Sequence, residues 1–137
     1  MIVVSTASAS AAVLAGPDGE FIRVRPLAQR AVLRSATDSI DQLRLSPGAV
    51  HEHPGRPDGE SVWFVLRGPV VAEQVPDGAQ HLADRGDLLL APAGRGLRLR
   101  SGPLGAELLC LALRATTPTP TPTPAPRRPR IRRSTRP

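Results

Sequence analysis

The sequence has 137 residues, enough to enclose one hydrophobic core but short for two. Residues 1–115 hold 12 arginines against 12 acidic residues, so the whole +6 formal excess lies in residues 116–137. The high isoelectric point therefore says nothing about the folded part. There is no lysine, and the richness in Arg, Ala, Pro and Gly suggests a GC-rich bacterial genome. The single cysteine, Cys110, excludes an internal disulfide framework and fits a reducing compartment.

In chain order, "MIVVSTASASAAVLAG" is apolar and ends in small residues, but no basic residue precedes Arg23 and Ser and Thr interrupt it. A secretory signal is therefore not expected. No stretch approaches the roughly 20 apolar residues of a membrane span. A cytoplasmic location is the expectation, with no membrane partner.

"EFIRVR" (20–25) has the alternation of a half-buried strand, and "AVLRS" (31–35) and "DQLRL" (41–45) are short strand candidates. A helix over 32–45 is the alternative there, closed by Pro47. "SVWFVLRG" (61–68) is rich in β-branched and aromatic residues, and "VVAEQV" (70–75) follows at once. "PDG" (76–78) and "DRGD" (84–87) are turns. "LLLAPAG" (88–94), "LRLR" (97–100) and the continuously apolar "ELLCLALR" (107–114) complete the set, the last reading as a strand buried on both sides. Short strands with turns every eight to twelve residues predict an all-β sandwich or barrel over residues 1–115.

From Thr116 a proline stands at every second position between Pro118 and Pro126, and "RRPRIRRSTRP" then adds like charges. Residues 116–137 are expected to be a disordered Pro/Thr- and Arg-rich tail. Its arginines offer weak, salt-sensitive contact with anions or nucleic acid, without aromatics for base stacking.

Two segments resemble the paired motifs of the cupin superfamily. The first, usually G-x5-H-x-H-x3–4-E-x6-G, is matched in residue type and order by Gly48, His51, His53, Glu60 and Gly68. The second, usually G-x5-P-x-G-x2-H-x3-N, is matched by Gly86, Pro92 and Gly94. The resemblance covers roughly residues 40–113. It implies a single-domain cupin-type β-barrel, a double-stranded β-helix or jelly roll. It also implies a homodimer built by exchange or pairing of N-terminal strands, here from residues 1–30.

The departures fall on the ligands. The second-motif histidine falls at Leu97 and its asparagine at Ser101. Two residues, not five, separate Gly48 from His51, and six separate His53 from Glu60. Counted back from Gly68, the family glutamate falls at Ser61, one step from Glu60. Strand side chains alternate, so that slip turns a carboxylate outward unless a bulge near Gly59 restores it.

The resemblance implies a divalent metal (Zn, Fe, Mn or Ni) held by His51, His53 and Glu60. Imidazole suits these ions, and the carboxylate would complete a facial set acting as Lewis acid or oxygen activator. The expected function is small-molecule binding, with metal-dependent isomerisation, cyclisation or oxygenation within the barrel. The alternative is a metal-free ligand-binding or sensor module, and a third reading is an interaction protein working through its tail. His81 reads as a surface histidine, Cys110 as a buried apolar residue, and Arg98 and Arg100 as solvent-facing. Of Trp63 and Phe64, which must face opposite ways, one packs in the core.

Overall fold

A computed structural model describes residues 10–33 and 35–114. The expected tail, 116–137, and the first nine residues lie outside the described part.

Ten strands form: β1 Ala12–Ala15, β2 Phe21–Gln29, β3 Thr37–Leu45, β4 Val50–His53, β5 Gly59–Arg67, β6 Val70–Val75, β7 Gln80–Ala83, β8 Leu88–Ala91, β9 Gly96–Ser101 and β10 Ala106–Arg114. They build two antiparallel sheets, a larger one ordered β1-β2-β3-β10-β5-β8 and a smaller one ordered β4-β9-β6-β7. From β3 onward the chain passes repeatedly between the sheets, the connectivity of a jelly roll. No helix forms among the described residues, so none is long and apolar enough to cross a membrane.

Two of the expected local structures change. Among the described residues, 31–33 and 35 form no strand, and no helix forms over 32–45. Val32 and Leu33 instead donate backbone hydrogen bonds back to Gln29 in a turn, which leaves Val32 exposed. The strand signal lies on either side, in the longer β2 and β3. The N-terminal segment adds β1, whose four exposed residues pair with β2.

The core lies between the sheets. Along β5, Gly59, Ser61, Trp63 and Val65 are buried while their neighbours point outward, the period-2 pattern of a one-sided strand. Trp63, Val65, Leu43, Leu45 and Leu108 of the larger sheet meet Val70, Ala72, Leu97 and Leu99 of the smaller. Full burial of a side chain such as Leu99 or Leu108 contributes about 1.5–3 kcal/mol.

The turn "SPGA" carries the chain from β3 to β4 and needs Gly48, whose φ of 73° is left-handed. Buried Ser101 ties this turn to β9. Its hydroxyl donates to the Ser46 carbonyl at 2.5 Å, while Ser46 Oγ accepts the Phe21 N–H at 2.7 Å. The position that the resemblance gives to an asparagine thus holds the structural serine that anchors the start of β4.

The outer face of the larger sheet is unusually apolar. Its register aligns Leu88, Phe64 and Leu109 in one row across β8, β5 and β10. Leu90, Val62, Leu111 and Ile40 form the next row, from β8 to β3. Leu88 and Leu90 are 55% and 66% exposed.

Candidate functional site

Strand β4 runs antiparallel to β9, with His51 opposite Leu99 and His53 opposite Leu97. Leu97 and Leu99 are buried, so residues of the same parity on β4 also face the interior. Both imidazoles point at Trp63 from the facing sheet, with ring centroids 5.7 Å from the indole for His51 and 5.2 Å for His53. Trp63 is 1% exposed, and its indole N–H donates to the Ser61 hydroxyl at 2.9 Å. Glu52, between the histidines, faces out and pairs with Arg98 at 2.8 Å.

Glu60 does not join the histidines. It is exposed, while its neighbour Ser61 is 3% exposed and faces the barrel. The β5–β10 register runs without interruption through Ser61, Glu60 and Gly59, so no bulge restores the carboxylate. His81 shares the inner face of the smaller sheet, opposite Ala72 on β6, but two strands separate β7 from β4. Among the described residues, no three His, Cys, Asp or Glu side chains converge as a metal-binding group.

The loop between β4 and β5 closes one end of the barrel. A Cβ on Gly55 would come within 2.5 Å of the Arg95 backbone, so this close approach requires glycine. The Gly94 N–H donates to the Arg56 carbonyl at 2.7 Å, fastening the same loop to the β8–β9 turn. Arg56 pairs with Asp38 at 3.3 Å and Asp58 at 3.5 Å.

A cavity of about 490 Å³ opens here beside His53, walled by Leu97, Val75 and Pro76. A smaller one of about 220 Å³ lies on the other side of Leu97, between β7 and β8, and includes Leu89, Gln74 and His81. Gly96 and Leu97 line both.

Burial lowers the proton affinity of both histidines below their ordinary value of 6.5. The neighbouring His53 adds to the effect at His51, and the Arg56 guanidinium adds to it at His53. At neutral pH each imidazole is therefore uncharged, with one donor and one acceptor nitrogen. Cys110, buried on β10 opposite both Trp63 and Asp41, is pushed up to about 12 by desolvation and then by the Asp41 charge, so its thiol stays protonated.

Residue spacing already pointed to the inward H-x-H pair and, by the count from Gly68, to Ser61. Trp63 as the surface against which both histidines pack was not identified. Only the register across the two sheets brings it there.

The two-sheet jelly roll with an H-x-H pair on β4 is the cupin fold. One solved structure similar in shape is a predicted oxalate decarboxylase from Thermotoga maritima. It matches with a TM-score of 0.72 at 15% identity, over 83% of this chain and 100% of its own. KdgF from a Halomonas species gives 0.63 at 14% identity, over 82% of this chain and 94% of its own. An RmlC-like cupin from Shewanella frigidimarina gives 0.62 at 16% identity, over 81% and 88%. At such identities the likeness is one of fold. No family model and no curated protein matches the sequence.

Proposed function

We propose that this chain is a small-molecule-binding cupin that works without a resident metal ion, its ligand seated in the cavity beside His53. The observation that carries this reading is the packing of Trp63 against both imidazoles, 5.7 and 5.2 Å between ring centroids. A stable Zn, Fe, Mn or Ni site needs three or more protein donors. Here His51 and His53 supply two. Leu97 stands where a third imidazole belongs, Ser61 already accepts the Trp63 N–H, and Glu60 faces out. The donor set does not fit the ion.

The cavity supports a different recognition. Its apolar walls are Leu97, Val75, Pro76 and Pro54, and its polar lining is the neutral His53 together with the Glu52–Arg98 ion pair. Such a seat suits a compact organic molecule with an apolar body and a polar end that hydrogen-bonds to His53 or to the ion pair. Elemental analysis of the full chain, expressed with supplementary zinc and manganese, tests the reading. Far less than one equivalent of metal is expected in both the native chain and His51→Ala/His53→Ala. One equivalent that the double substitution removes would overturn it.

For the outer face of the larger sheet, the partner we propose is a second copy of this chain. One apolar row spans four strands and the other three, and at about 4.8 Å per strand and about 3.4 Å per residue the two rows cover roughly 200–250 Å². That is the size of the apolar centre of a standard interface of roughly 800 Å² per partner, the flanking residues supplying the rest. Charged residues bound the rows (Arg44 and Glu107 at one end, Asp38 and Arg114 at the other), an apolar centre with a polar rim. We also propose a cytoplasmic setting, which the single buried Cys110 fits.

A further inference from the structure

One end of the larger sheet carries more positive charge than its neighbours neutralise. The register aligns Arg67, Glu107, Arg44 and Arg23 across β5, β10, β3 and β2. Like charges directly opposed on neighbouring strands destabilise a sheet. Arg23 and Arg44 are such a pair. Glu107 is the one acid in the row, and it is already engaged by Arg44 at 3.3 Å and by the Gln42 amide. Arg23 and Arg67 make no ion pair among the described residues. Two residues beyond Arg23 on β2, Arg25 keeps its Nε buried with no hydrogen-bond partner among the described residues.

Arg67 reaches this row through a bulge. Glu107 pairs with Arg67 but Leu108 with Val65, so the register skips Leu66. Unbroken alternation from buried Val65 would aim Arg67 into the core. The extra residue re-aims it to the outer face beside Glu107. Arg23, Arg44 and Arg67 then line one cavity of about 250 Å³, with Ser46 and Leu104 at its other side.

We propose that this cavity binds a small oxyanion carrying two or more negative charges. Guanidinium groups from three strands offer forked donors that match phosphate or carboxylate oxygens in pairs, and such an anion relieves the Arg23–Arg44 repulsion. The shared chemistry is that of a phosphate group or a compact dicarboxylate. The site lies on the larger sheet, away from the His53 cavity, and does not depend on the metal-free reading.

The test is calorimetric titration of the full chain with inorganic phosphate and, separately, malonate, at constant ionic strength set with chloride. Saturable binding of at least one of the two is expected, with phosphate or malonate preferred according to the source. Arg23→Gln/Arg44→Gln should weaken it at least tenfold, as should Arg67→Gln, while Arg100→Gln on the smaller sheet leaves it unchanged. The anion-dependent rise in melting temperature should vanish in the same variants. No saturable binding to either anion overturns the proposal. So does binding that survives Arg23→Gln/Arg44→Gln, which would assign it to the arginines of the tail.

Discussion

His51 and His53 are held against Trp63 in a setting that favours their uncharged forms, and that has a thermodynamic consequence. Their folded-state pKa values lie below the ordinary 6.5, so the unfolded chain binds more protons as the pH falls. Their contribution to stability is complete above 6.5 and is lost as the pH drops through 6.5 toward the lowered folded values. The melting temperature of the native chain should therefore fall between pH 7.5 and 5.5 more steeply than that of His51→Gln/His53→Gln. Equal slopes would show that the imidazoles are freely solvated. Trp63 is the other half of this contact, and Trp63→Ala should cost about 3–5 kcal/mol in denaturant unfolding, as truncation of a large buried ring does. At this scale the sequence was partly legible. The i, i+2 spacing places both histidines on one face, and counting from Gly68 identifies Ser61 as the inward residue. Leu97 was likewise visible as a non-ligating side chain. What Trp63 touches depends on β4 and β5 lying in different sheets, and it could not be read from either strand alone.

The strands show where periodicity succeeds and where it misleads. β5 and β9 alternate cleanly because one face of each is buried, and both are evident in the sequence. Ala31, Val32 and Leu33 are as apolar as many strands, yet no partner strand lies beside them among the described residues, and the chain turns there. The unbroken apolar run of β10 reads as a strand buried on both sides. Within one chain only Ala106, Leu108 and Cys110 are buried, while Leu109, Leu111 and Leu113 stay part-exposed on the outer face. A second copy packed on that face would account for the run. Light scattering should give twice the chain mass for the native protein, and Leu88→Glu/Leu90→Glu should give a folded monomer. A native chain that is already monomeric at micromolar concentrations would refute the interface.

For the whole molecule, fold and site differ in how much the sequence reveals. Turn glycines and short alternating strands mark this barrel in the sequence, although it is only 14–16% identical to the similar structures above. Ligand positions are single residues, and each is changed by one substitution or one step of register. The jelly roll therefore remains readable when the ligand set does not. Whether this barrel holds a metal is best tested by zinc titration of the full chain, followed through Trp63, its only tryptophan. The native chain should show no saturable fluorescence change at low-micromolar zinc. Leu97→His, which sets a third imidazole opposite His53, should show one that saturates at one equivalent. A native chain that itself saturates at one equivalent, and loses the response in His51→Ala/His53→Ala, would contradict the account.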